Sequence, residues 1–324
     1  MGLKILITWN SADRIEQRDV NSVCKSLSDA GHDVTTIRRS HLYKKYDELG
    51  VDNYDLILMK PWMNAMFGSG GNMPELKERL KSFKGVIAVL YCDIKMKFSP
   101  YILIKHDDKY DKINFFEDLN AVIMYSLHRS VLDDKDAMES IKERTNDFGL
   151  DIVPIEWNFL TCSIYDELYK SVDHNVPIKY DRAYFGQFKR GVYNSLQHMN
   201  FGDLNDIVIG GIAHKFPNSI SVYEKNEKGK NSGKAIEFEK YIPYAKYVVI
   251  PYEKIKSEYQ FTLRFVESLA LMNDNAELLF DPMVSDYLEQ FTSIESIRSK
   301  SKSVIKEIED FVNEQQYITK HHLS

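Results

Sequence analysis

Residues 85–92, Gly-Val-Ile-Ala-Val-Leu-Tyr-Cys, are apolar almost throughout. A strand with no polar alternation has to be covered on both faces, and a parallel sheet flanked by helices does this. The first half of the chain repeats that pattern. Leu3–Thr8 is another run of buried-strand length, followed by Val20, Val23, Cys24, Leu27 and Ala30 at helical spacing and by Gly31 as a stop. Asp33–Ile37, Leu56–Met59, Ala121–Tyr125 and Ile152–Ile155 read as further strands, with a helix from Pro74 to about Phe83. Right-handed crossovers between such strands give a Rossmann-like half.

The polar stretch 171–177, ending in Pro177, reads as a linker, after which the alternation restarts. Strands are predicted at Ala183–Phe185, Asp206–Ile209, Ile220–Tyr223, Tyr247–Ile250 and Glu277–Phe280, and helices at Val192–Met199, Thr262–Met272 and Ser301–Glu314. Residues 226–234 read as a flexible basic loop. The expected fold is α/β, with two Rossmann-like parallel-sheet domains, 1–172 and 178–308, facing a central cleft. Residues 309–324 form a C-terminal helix and tail expected to pack back on the first domain.

The 324 residues suit two domains, and 44% hydrophobic content is too much for a disordered chain. A formal charge of -6 excludes a polycation that coats nucleic acid by net charge, though not a local basic face. Three widely spaced cysteines, with no CxxC pair, point away from zinc knuckles and disulfide frameworks and toward a reducing cytoplasm. No apolar run approaches the ~20 residues of a membrane span, and no membrane partner is expected.

Several residues stand where ligands bind such sheets. Asp93 follows the most apolar strand, where a carboxylate is aimed at the cleft and serves as a general base or caps the next segment. Asp19, read as lying just ahead of the first helix, contacts a ligand hydroxyl or caps that helix. The turn Phe67-Gly68-Ser69-Gly70-Gly71 lacks P-loop and GxGxxG spacing. Arg264 and Glu267, at i and i+3 in one helix opening, form a diphosphate-and-ribose pair or an intrahelical salt bridge. The stretch from Tyr184 through Gly186, Lys189, Arg190 and Tyr193 is a strand, turn and helix start that fits a phosphate-binding turn or a solvated basic loop. Asp134-Lys135-Asp136 reads as the start of a surface helix rather than a metal site, and His321-His322 as a frayed tail.

In order and spacing, these segments resemble the T-even phage DNA β-glucosyltransferase family. The matching stretches are Asn53-Tyr54-Asp55-Leu56-Ile57-Leu58, Phe67-Gly68, Tyr91-Cys92-Asp93-Ile94-Lys95 with Phe98-Ser99, Tyr184-Phe185-Gly186-Gln187-Phe188, and Phe261-Thr262-Leu263-Arg264 with Glu267. The resemblance implies a GT-B fold, with an acceptor domain first and a nucleotide-sugar domain second. It also implies an inverting transferase that moves a sugar from a UDP-sugar to 5-hydroxymethylcytosine in double-stranded DNA, flipping the base. It makes Asp93 the catalytic base and places Asp19 at the sugar and acceptor site. Arg264 is placed on the donor phosphates and Glu267 on its ribose. Where the family has two arginines four apart, this chain has Lys189 and Tyr193, with Arg190 offset by one. The donor is therefore open between UDP-glucose and UDP-arabinose, as is assistance by Mg²⁺ or Mn²⁺. A monomer in the host cytoplasm is expected. A small molecule or glycan as acceptor, and a non-catalytic nucleotide-binding module, are the competing readings.

The DNA reading requires basic residues gathered on one face. Candidates are Lys95, Lys97, Lys105, His106, Lys109 and Lys112, and Lys225, Lys228, Lys230 and Lys234.

Overall fold

The computed structural model describes residues 2–9, 14–60, 72–92, 99–106, 109–186, 190–210, 216, 219–220, 223–225, 231–235 and 238–322. The chain divides into two compact units, Met1–Ser163 with Ser299–Ser324, and Ile164–Arg298.

The first unit is built on β1 (Lys4–Trp9), β2 (Asp33–Arg38), β3 (Leu56–Met59) and β4 (Val86–Tyr91). After them come a hairpin, β5 (Tyr101–His106) with β6 (Lys109–Asn114), and then β7 (Ala121–Tyr125) and β8 (Ile152–Pro154). Six of these strands form one parallel sheet in the order β2-β1-β3-β4-β7-β8. All six residues of β4 are buried, as its composition demands between two parallel neighbours. The direction of winding reverses between β1 and β3, which makes their carboxyl ends a switch point.

The second unit carries β9 (Tyr180–Gly186), β10 (Ile207–Gly210), β11 (Ser219–Ile220), β12 (Tyr223–Lys225), β13 (Asn231–Ala235), β14 (Ala245–Ile250) and β15 (Glu277–Phe280). Its parallel sheet runs β11-β10-β9-β14-β15. Counted by appearance in that sheet, the order is 3-2-1-4-5, the Rossmann order, with its switch point between β9 and β14. Two parallel α/β units in tandem are thus present.

Four features depart from the sequence reading. The β5–β6 hairpin is new: Asp107-Asp108 separates its strands without the glycine that makes Asp-Gly turns legible. Ile220 and Tyr223 do not share a strand: Ile220 lies in β11 and Tyr223 in β12, in two different sheets. Asn231–Ala235 is a strand paired antiparallel with β12 rather than loop. The unit boundary at 163/164 precedes the polar stretch 171–177, because His174 fastens that stretch to the second unit. One His174 ring nitrogen bonds the Met272 carbonyl at 2.8 Å, the other bonds the Tyr169 carbonyl at 2.7 Å, and the imidazole stacks on Tyr169.

The last helix, Ile294–His322, returns its length from Ser299 onward to the first unit. Val304, Ile308 and Val312, spaced four apart, are buried on it. Lys300 Nζ lies 2.8 Å from Glu156 Oε2, and Gln316 Nε2 donates to Asp55 Oδ1 at 2.9 Å. Asp134 caps the Lys135–Thr145 helix by accepting from the Ala137 N–H, so the Asp-Lys-Asp run is a helix start. No helix among the described residues is long and apolar enough to cross a membrane.

Candidate functional site

The second unit has a cavity of about 240 Å³ at its switch point. Phe185 and Gly186 reach it from the carboxyl end of β9, and Ile250 and Pro251 from that of β14. Thr262, Leu263, Arg264 and Glu267 line its next wall, from the Leu263–Leu271 helix. Thr262 makes no side-chain cap to this helix, and a helix N-terminus without such a cap favours an anion. Gly186, Arg264 and Glu267 therefore share one cavity. Its volume falls below the ~300–1,000 Å³ of a site enclosing a whole ligand, which suits a site that holds part of a larger molecule.

Arg264 is held closely. Its guanidinium lies over the Tyr184 ring, 5.2 Å from the centroid. Tyr184 is fully buried. Burial pushes its hydroxyl above the ordinary phenol range, the Glu253 carboxylate adds to this, and Arg264 opposes it. Gly186 has φ 127°, a conformation L side chains rarely adopt, and a Cβ there would sit 2.8 Å from Arg264 Cζ. The glycine thus serves both the turn and the close approach of the arginine.

The remaining wall was not legible in the sequence. Glu253, Lys256, Ser257 and Gln260 line it from the segment after β14. Within that segment Ile255 has φ 68° and ψ -50°, near the strained γ-turn region. A β-branched residue held there costs on the order of 1–3 kcal/mol, and strain of this kind concentrates at ligand sites. No motif marks these residues; the Pro251 bend after a buried strand is the one signal that could have drawn attention to them.

The other nominated residues are placed differently. Tyr193, on the Arg190–His198 helix, is not among the residues lining the cavity. Its hydroxyl accepts from Gln197 Nε2 at 2.7 Å and its ring meets Phe216. Asp93, Lys189 and the Phe67-Gly68 turn lie outside the described residues, as does the side chain of Arg190. Asp19 does not precede the first helix. That helix runs Arg14–Asp29, and Asp19 lies in its second turn. The helix start was hidden because its apolar face begins only at Val20.

Asp19 nevertheless stands at the first unit's switch point. Its Oδ2 lies 3.6 Å from Nζ of Lys60, the residue that follows β3. Arg39 Nη1 donates to the Lys60 carbonyl at 3.1 Å. Among the described residues, no group of three or more His, Cys, Asp or Glu side chains could hold a metal ion.

No protein-family model matches the chain, and no curated protein matches it. Solved structures give weak likenesses. A dipicolinate synthase chain from Bacillus halodurans is 10% identical over 98% of this chain and 99% of its own, with TM-score 0.23. Phosphoglycerate oxidoreductase from Vibrio cholerae is 10% identical over 78% and 67%, with TM-score 0.21. The wall teichoic acid polymerase TagF is 9% identical over 99% and 89%, with TM-score 0.29. At these TM-scores none of the three informs the site.

Proposed function

We propose that this chain is an inverting GT-B glycosyltransferase that moves a sugar from a UDP-sugar to the hydroxymethyl group of modified cytosine in double-stranded DNA. The observation that carries this reading is the meeting of Gly186, Arg264 and Glu267 in one cavity at the second sheet's switch point. The resemblance assigns Arg264 and Glu267 to the donor, and Gly186 belongs to the phosphate-binding turn read from the sequence. A switch-point crevice takes a nucleotide in such sheets, with the phosphates at a helix N-terminus and an acidic side chain on the ribose diol. Arg264 and Glu267 stand on such a helix, one turn apart.

In this scheme Asp93 removes the proton of the acceptor hydroxyl as the oxygen attacks the anomeric carbon. The new C–O bond forms on the face opposite the departing UDP, so the centre inverts. Arg264 offsets the charge that gathers on the leaving diphosphate, and the Leu263–Leu271 helix N-terminus reinforces it. Lys189 and Arg190 are assigned the same task. Asp19, paired with Lys60, is assigned to the acceptor side. The base is flipped out of the duplex, since a cleft cannot reach it within the stack.

Mass spectrometry of nucleosides tests the reading. Duplex DNA with and without hydroxymethylcytosine is incubated with the chain and UDP-glucose, UDP-arabinose or other UDP-sugars, then digested. A hexose or pentose adduct on hydroxymethylcytosine alone is expected, lost in Asp93→Ala. Transfer to small hydroxylated compounds, with DNA unmodified, favours the alternative acceptor class. Nucleotide binding without transfer in any arm favours a non-catalytic module.

A further inference from the structure

The segment after β14 is fastened from several sides. The Tyr252 N–H donates to Ser195 Oγ at 2.8 Å, and the Ser195 hydroxyl donates to Asp281 Oδ2. A backbone N–H can only donate, so Ser195 accepts from Tyr252 and turns its own proton to the carboxylate. Asp281 Oδ1 accepts from the Met283 N–H at 2.9 Å. Further along, the Glu253 N–H donates to Ser257 Oγ at 2.7 Å, and the Ser285 N–H to the Ser257 carbonyl at 3.0 Å. Ser195, Ser257 and Asp281 are all buried. Ile255, at φ 68°, stands between Tyr252 and Ser257. Backbone strained in this way persists only where its surroundings over-determine it. Ser195 belongs to the Arg190–His198 helix that follows β9, and Asp281 follows β15. These two strands flank β14 in the sheet, so one hydroxyl ties the segment to elements on both sides.

We infer that Ser195 is a positioning residue, which holds segment 251–260 in the shape that receives the nucleoside part of the donor. The inference rests on the donor reading above. With the phosphates on Arg264 and the ribose on Glu267, the base is left to the wall that Glu253, Ser257 and Gln260 line. Ser195 is not among the residues lining the cavity, so it acts through the Tyr252 backbone. A wall set in advance spares the ligand the cost of ordering it.

The test is calorimetric titration of the full chain with UDP and, separately, with uridine, at a temperature where every variant is folded. Wild type, Ser195→Ala, Ser195→Thr and Arg264→Gln are compared. Ser195→Ala is expected to weaken both ligands about ten-fold, the scale of one hydrogen bond, because both carry the nucleoside. Ser195→Thr keeps the hydroxyl and is expected to bind both as wild type does. A lower Tm in Ser195→Ala with both affinities unchanged makes the serine structural only and overturns the inference. Loss of UDP with uridine unchanged also overturns it, since the wall would then serve the phosphates. So does a loss in Ser195→Thr as large as that in Ser195→Ala. Wild-type UDP affinity in Arg264→Gln, or no UDP binding in wild type, overturns the donor reading itself. If Ser195→Ala does not fold, Asp281→Asn is titrated instead. Its amide has one acceptor oxygen for two donors, Ser195 and Met283, and undiminished affinity for both ligands there sinks the inference.

Discussion

Asp206 shows how much a single buried charge supports. Its carboxylate takes two hydrogen bonds from Arg182, at 2.9 and 2.6 Å, and a third from the Gly202 N–H. Arg182 also donates to the Met199 and Asn200 carbonyls, so the pair ties β9 to the turn that ends the following helix. Asp206→Ala strands a buried guanidinium and is expected to destabilise the chain by about 3–5 kcal/mol, measured as a shift of the urea midpoint. Glu307 behaves oppositely. Burial raises its carboxyl above the ordinary value of 4.5; Glu156 adds to the shift, and Lys300 offsets it. A raised acid contributes its stability below that ordinary value and loses it as pH climbs through the raised one. Glu307→Gln should therefore match wild-type Tm in acid and exceed it toward neutral pH. A constant gap across the pH range would contradict this. At this scale the sequence showed Arg264, Glu267 and Gly186, because helical spacing and a glycine turn are local signals. Glu253 and Gln260 acquire their positions from strands and helices that meet only in the folded unit, so nothing local beyond the Pro251 bend marked them.

Among the elements, the two hairpins separate the basic candidates. The β5–β6 hairpin carries Lys105, Lys109 and Lys112, but Asp107, Asp108 and Asp111 balance them. Residues 223–235, which hold β12 and β13, carry Lys225, Lys228, Lys230 and Lys234 against Glu224 and Glu227. The second hairpin is thus the cationic one. Replacing its four lysines with glutamine is expected to weaken DNA binding and flatten the dependence of log affinity on log salt by about 0.9 for each phosphate no longer neutralised. Unchanged binding and slope, read by fluorescence anisotropy across salt, would remove this hairpin from the DNA account. The buried strands were legible because parallel pairing leaves them apolar from end to end. The hairpins were not: their composition is polar, and their register depends on pairing across turns with weak signatures.

Across the whole molecule, the helix Ile294–His322 is shared in sequence but not in packing, since everything from Ser299 onward belongs to the first unit. Val304, Ile305, Ile308, Phe311 and Val312 are buried there. At about 1.5–3 kcal/mol for each buried side chain, their loss rivals the ~5–15 kcal/mol that holds a domain together. Ending the chain after Arg298 should abolish the thermal transition of the first unit while UDP still binds the second. Loss of UDP binding would place part of the nucleotide site elsewhere. The tandem of two α/β units could be read from recurring apolar runs, whereas the order of each sheet could not. Sequence gives strands one after another, and only pairing decides where the winding reverses.

The most direct test is a crystal structure of the chain with UDP. The diphosphate should lie within hydrogen-bond reach of the Arg264 guanidinium and the first turn of its helix, with both ribose hydroxyls on Glu267 and Gly186 beneath the phosphates. UDP bound at any other place, with the β9–β14 crevice empty, would contradict the account.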